Sequence, residues 1–197
     1  MSVDPPVRGL VLSGGASKRM RTDKAALMHQ GQTWLSRQVQ LLESASLETF
    51  VSIRADQAPD PLRTRFKTIV DDPTVNGPIA GILAAFREYP HSAWLVVAVD
   101  LPHLQLDTVQ RLLEQRQSSQ LATAYVSQSD QLPEPLCAIY EPAAHDALKQ
   151  FVATGRACPR KFLTHHAVTL LTQPGHGHLD NINTPEEWDH HSRETPV

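Results

Sequence analysis

Gly14 and Gly15 close the apolar run at residues 8–12 and are followed by Lys18, Arg19 and Lys24, with Ser17 and Thr22 among them. Glycines let a ligand approach bare backbone N–H groups, and such groups beside cations suit a ligand carrying several phosphate charges. Lys18, Arg19 and Lys24 would supply the positive charge. The spacing is neither G-x-x-x-x-G-K-[ST] nor G-x-G-x-x-G, so the two commonest phosphate loops lose ground. A second group stands at Asp100, which ends the apolar run at residues 93–99 and precedes Leu101 and Pro102. A hard carboxylate beside a polyphosphate is a usual anchor for Mg²⁺. Its plainer use is to end a strand and cap the next turn.

These groups need elements to position them, and the hydrophobic pattern supplies an alternating set. Strands are expected at 8–12, 48–54, 68–70, 93–99, 121–126, 135–140 and 168–172. Thr33 caps a helix reaching about residue 46, with Leu35, Val39 and Leu42 on one face. Asn76 or Gly77 caps a second, with Pro78 at its first position and its end near Tyr89. Asp107 is expected to cap a helix over 108–116, and a further helix over 143–152 stops at Gly155. Thr184, Pro185 and Glu187 form a capping box at a last helix start. The alternation predicts a three-layer, doubly wound, mostly parallel α/β sheet, whose ligands bind at the carboxyl ends of the strands. Gly81 in the first turns of the second helix marks either close packing or ligand approach, since glycine there costs about 1 kcal/mol against alanine.

At 197 residues the chain fits one domain, 1–197 with a core over about 8–190, and 41% hydrophobic content is enough for a sizeable interior. A formal charge of -3 with mixed signs carries no footprint for nucleic acid. Cys137 and Cys158 make no disulfide framework, and no stretch approaches membrane-spanning length, which together lead to the expectation of a cytoplasmic protein. Histidines 165, 166, 176, 178, 190 and 191 lack the spacing or cysteine partners of a zinc site and are expected to be solvated.

Five motifs in order point to a family. Leu12, Gly14, Gly15, Ser17, Arg19, Met20, Asp23 and Lys24 fall in register with Leu-x-Gly-Gly-x-Ser-x-Arg-Met-Gly-x-Asp-Lys; Gly77-Pro78-Ile79-Ala80-Gly81, the Asp-x-Pro at Asp100, Pro135-Leu-x-Ala-x-Tyr140 and the Asn181-x-Asn183-Thr-Pro-Glu-Glu run follow. The pattern resembles the molybdenum cofactor guanylyltransferase family and its nucleotidyltransferase relatives. The resemblance implies a Rossmann-like nucleotidyltransferase fold and an Mg²⁺-dependent transfer of GMP from GTP to molybdopterin carrying molybdenum, with release of pyrophosphate. It assigns catalysis to Arg19, Lys24 and Asp100, the metal to Asp100, and nucleotide binding to Leu12, Ser13, Gly14, Gly15, Lys24, Ser52, Asp72 and Asp100. The acceptor falls to Arg156, Arg160, Asn181 and Asn183. Backbone N–H groups of Ser13, Gly14 and Gly15 are expected to hold phosphates. The implied partners are GTP or another NTP and a molybdopterin-type acceptor, with no nucleic acid and no membrane, in a monomer or weak oligomer that contacts molybdoenzyme maturation proteins transiently.

Three positions depart from the pattern. Arg21 stands where a glycine is usual, Ser52 where guanylyltransferases carry an asparagine, and Cys158-Pro159-Arg160-Lys161 differs from the usual arginine-bearing segment. The alternatives they leave are a cytidylyltransferase for the same pterin, a sugar-phosphate nucleotidyltransferase, and a nucleotide-binding regulator without turnover.

Overall fold

A computed structural model describes residues 4–14, 23–182, 184 and 187 of the chain. In order, these form β1 (Val7–Leu12), β2 (Met28–His29), β3 (Gln32–Thr33), α1 (Trp34–Ser44), β4 (Thr49–Ile53), β5 (Thr68–Val70), α2 (Pro78–Glu88), β6 (Ala93–Ala98), α3 (Leu106–Glu114), β7 (Ala122–Val126), β8 (Pro133–Tyr140), α4 (Ala144–Ala153), α5 (Pro159–His165) and β9 (Thr169–Leu171).

Successive strand side chains point to opposite faces, and here each face has its own core. Val11, Val51, Leu95, Val97 and Ile139 pack with Trp34, Leu35, Val39 and Leu42 of α1 and Val109 and Leu112 of α3. Their neighbours Leu10, Phe50, Trp94, Val96 and Tyr140 pack on the other side with Ile79, Ile82 and Phe86 of α2, Leu148 and Phe151 of α4, and Phe162 of α5. Central strands buried on both faces explain why 93–99 reads as an unbroken apolar run. Each fully buried large side chain contributes roughly 1.5–3 kcal/mol, so helices are held on the sheet chiefly by this burial.

The seven-stranded sheet has the order β5-β4-β1-β6-β8-β7-β9. Strands β5, β4, β1 and β6 are parallel, β8 is antiparallel to β6 and β7, and β9 is parallel to β7. Helix α1 carries the chain from β1 outward to β4 and β5; α2 then brings it back across β1 to β6. The direction of winding therefore reverses between β1 and β6, and connections at their carboxyl ends part there to leave a crevice.

Local signals acted as the residues dictate. The two-residue turn between β2 and β3 has Gln30 and Gly31 at φ 48° and 78°, the left-handed pair a tight hairpin needs. Thr33 Oγ1 accepts from the Ser36 amide to start α1, Pro78 follows the N-cap Gly77 of α2, and Gly155 follows α4 at φ 80°. One cap differs: α3 starts after Gln105, and Asp107 lies inside its first turn. Asp107 accepts from Thr108 N and Oγ1, a local bond that satisfies the carboxylate without placing it at the cap. No described helix is long and apolar enough to cross a membrane.

Candidate active site

A cleft of about 630 Å³ opens at the carboxyl ends of β1, β4, β5 and β6. Lys24 and Asp100 face each other in it, with Nζ 2.7 Å from Oδ2. Asp23 accepts from Ala25 N at 3.0 Å and so caps a single turn, Lys24–Ala26, whose buried Ala25 roots it in the core. Lys24, first in that turn, is thereby turned toward the crevice. Asp100 follows β6, and its carbonyl accepts from Ile182 N at 3.2 Å, which ties the closing segment to the back of the same residue. Asn181, the residue before Ile182, is exposed and does not line the cleft.

A second carboxylate, Asp71, lies under the glycine. Continuing the alternation of β5 one residue past Val70 puts Asp71 on the face of Ile69, where Ser52 of β4 donates a hydrogen bond to its Oδ1. A methyl group added at Gly14 would stand 2.6 Å from Asp71 Oδ2, so a side chain there would push the Asp71 carboxylate aside. Burial pushes the Asp71 carboxyl above its ordinary range, against the Ser52 hydrogen bond and the Arg54 charge, which pull it down. Arg54 forks onto Asp56 at 2.9 Å and donates to the Gly14 carbonyl. Asp72, the acid the resemblance singles out, also lines the cleft but accepts from Thr74 N and Oγ1 at 2.9 and 2.6 Å, which holds its pKa below the ordinary value. Asp71 is thus a cleft residue missed in the sequence, although strand alternation carried past β5 would have found it.

The remaining expected residues divide. Leu12 and Gly14 line the cleft with Ser52 and Leu136. Ser13 also lines it, but its amide donates to the Ser52 carbonyl at 3.1 Å, because the β1–β4 ladder runs one residue beyond the strand. That amide cannot serve as a phosphate donor, which corrects the expectation for Ser13. Gly15, Arg19 and Asn183 lie outside the described residues, as does Arg21. Arg156 stacks its guanidinium 5.9 Å from the Phe151 ring, and Arg160 donates to Asp130 at 2.8 Å and Glu134 at 3.0 Å; neither lines the cleft. That segment meets the rim through Ala157, whose carbonyl lies 3.9 Å from a Cβ placed on Gly77. For Gly81, packing is the reason: a Cβ would strike Ser52 Oγ and come within 2.9 Å of Leu12 Cδ2. His165 and His166 donate from Nδ1 to the Lys161 and Phe162 carbonyls, and His178 Nδ1 bonds Thr108 Oγ1.

The sequence and the fold are both shared with known proteins. Residues 9–170 match the MobA-like NTP transferase domain. The chain belongs to the MobA-like NTP transferase family. Among curated relatives of this family member, a molybdenum cofactor biosynthesis bifunctional protein of Synechocystis is 34% identical over 93% of the chain, which spans about half, 53%, of that longer protein. A molybdenum cofactor guanylyltransferase of Rhizobium meliloti is 32% identical over 93% of the chain and 88% of its own length. The fold matches the crystal structure of molybdopterin-guanine dinucleotide biosynthesis protein A from Archaeoglobus fulgidus with a TM-score of 0.78, at 24% identity over 95% of this chain and 97% of that one. The protein is a nucleotidyltransferase of α/β fold.

Proposed function

We propose that this nucleotidyltransferase transfers GMP from GTP to molybdopterin carrying molybdenum. The acceptor's phosphate oxygen forms a bond to the α-phosphorus of GTP as the bond to the β-phosphate oxygen breaks, and pyrophosphate leaves with the electron pair. The observation that carries the reading is the Lys24–Asp100 pair set across the crevice from Gly14. Phosphoryl-type transfer asks a protein for positioning and charge compensation more than for a nucleophile. Lys24 is placed to offset charge that develops toward pyrophosphate, and Leu12, Gly14, Ser52, Asp71 and Asp72 form the wall along which the nucleotide lies. Arg19 and Gly15 complete the cradle in this reading.

Asp100 fits Mg²⁺ by the chemistry of its donor set. Among the described residues no cluster of three metal-ligating side chains exists, and Mg²⁺ is commonly held by one or two carboxylates together with substrate phosphates rather than by a protein cage. When bound, the ion supplies charge neutralisation across phosphate oxygens. Leu136 lines the cleft on the side this reading gives to the acceptor; Asn181, Asn183, Arg156 and Arg160 are the further acceptor residues of the reading, contacting it once it is bound.

Ser52 favours a second reading, cytidylyl transfer to the same pterin, because its hydroxyl is spent on Asp71 where guanylyltransferases carry an amide. The test is pyrophosphate release with Mg²⁺ and each of GTP, CTP, ATP and UTP, against molybdopterin and a sugar phosphate as acceptors. Release with GTP and the pterin is expected. Turnover of CTP alone establishes the second reading, and turnover on the sugar phosphate overturns both.

A further inference from the structure

Arg63 lies in the short 3₁₀ turn Arg63–Arg65 between β4 and β5, far in sequence from the glycine loop, yet its side chain is only 1% exposed. Its guanidinium uses all five N–H groups. Nε donates to Ser13 Oγ at 3.2 Å, Nη2 to the Ser13 carbonyl at 3.1 Å and Asp23 Oδ1 at 3.1 Å, and Nη1 to Asp23 Oδ2 at 2.7 Å and to Asp60. One buried cation thus grips Ser13, just past the end of β1, and Asp23, the cap of the turn Lys24–Ala26. Asp23 has a second task, since the same Oδ1 caps the turn from which Lys24 reaches Asp100.

We propose that Arg63 is a positioning residue for nucleotidyl transfer, which pins Asp23 to the end of β1 and so sets Lys24 against Asp100. The proposal rests on reading Lys24 as the cation that meets developing phosphate charge. The fork geometry matters: a guanidinium holds both Asp23 oxygens and the Ser13 carbonyl at fixed angles, whereas an ammonium is a point charge with three mobile donors. Arg63→Lys keeps the charge and loses the angles. A residue acting only through Lys24 must also lose its effect once Lys24 is gone.

The experiment is a double-mutant cycle on the full chain with GTP, Mg²⁺ and molybdopterin, read by pyrophosphate release, on proteins whose melting shows them folded. Arg63→Lys is expected to lower kcat about 10- to 100-fold, the scale of a small misplacement of a catalytic group, with KM for GTP changed less than about threefold. In a Lys24→Ala background the same substitution is expected to change kcat less than about twofold. A folded Arg63→Lys enzyme with unchanged kcat, or a loss that multiplies in full with that of Lys24→Ala, overturns the proposal alone. An unchanged kcat in Lys24→Ala overturns the reading of Lys24 and the proposal with it. Should Arg63→Lys not fold, Asp23→Asn carries the same cycle, because Asp23 is half-exposed and the change breaks the same two-oxygen grip.

Discussion

Lys24 Nζ and Asp100 Oδ2 stand 2.7 Å apart across the point where the sheet reverses its winding, each side chain mostly shielded from solvent. The residues are brought together by different elements: Lys24 by a capped turn rooted in the α1 face of the core, Asp100 by the end of the most buried strand. A cation and an anion so placed leave one charge of each sign at the mouth of the cleft.

Removing Asp100 tests the anion. Asp100→Ala is expected to abolish Mg²⁺-dependent pyrophosphate release in a protein that still folds, since the backbone bond to Ile182 does not use the side chain, with a lower melting temperature from the loss of the Lys24 partner. Retained turnover in a folded variant would remove the metal assignment.

Removing Lys24 tests the cation. Lys24→Ala is expected to lower kcat by about 2 to 4 kcal/mol of transition-state stabilisation, roughly 30- to 1,000-fold, the scale of losing one donor aimed at developing charge. Steady-state kinetics that show only a weaker KM for the acceptor would assign Lys24 another task.

Burial holds the Asp71 carboxyl above its ordinary range. Its raised folded value means that the stabilisation from its protonated form is fully present below the ordinary carboxylate pKa, about 3.9, and is lost as pH rises through the folded value. At neutral pH the buried charge therefore weakens the fold. Asp71→Asn, which can still accept from Ser52, is expected to melt higher than the parent at pH 7.5, by about 2–4 °C for each kcal/mol relieved, with the gap closing near pH 4. Thermal melts across that range decide it; a variant that melts lower at pH 7.5 contradicts the burial argument.

Gly81→Ala sets two effects against each other. Alanine gains about 1 kcal/mol of helix propensity, but its methyl group strikes Ser52 Oγ and Leu12 Cδ2, and overpacking typically costs about 1–3 kcal/mol. Net destabilisation is expected in denaturant melts, partly relieved in the Ser52→Gly background. A stabilised Gly81→Ala protein would show that the contact gives way.

Glu141, fully buried, accepts from Arg116 Nε and Nη2 at 2.6 and 2.7 Å, while Arg116 Nη1 holds the Pro5 carbonyl at 2.9 Å. The network sits at the amino ends of β1 and β6, away from the cleft. Glu141→Ala leaves a mostly buried cation unpaired and is expected to cost about 3–5 kcal/mol of stability with KM for GTP unchanged in the folded protein. Denaturation curves and initial rates on the same preparation separate the two.

What the chain states by itself is local. The hydrophobic pattern placed the central strands, and turn and cap residues placed the stop at Gly155 and the start of α1, because these depend on neighbours within a few residues. The glycine loop, Lys24 and Asp100 stood out as chemistry for the same reason, since each ends or follows a recognisable element. Strand order, and with it the meeting of Lys24 and Asp100, rests on pairings between distant segments that no local pattern encodes. Only the β1–β4 register showed that the Ser13 amide is taken by Ser52, and only packing beneath α2 showed why Gly81 has no side chain. Arg63 is the clearest case: in sequence it is one base in a polar turn, and it becomes a fully bonded buried cation because the tertiary fold delivers Ser13, Asp23 and Asp60 to a single guanidinium.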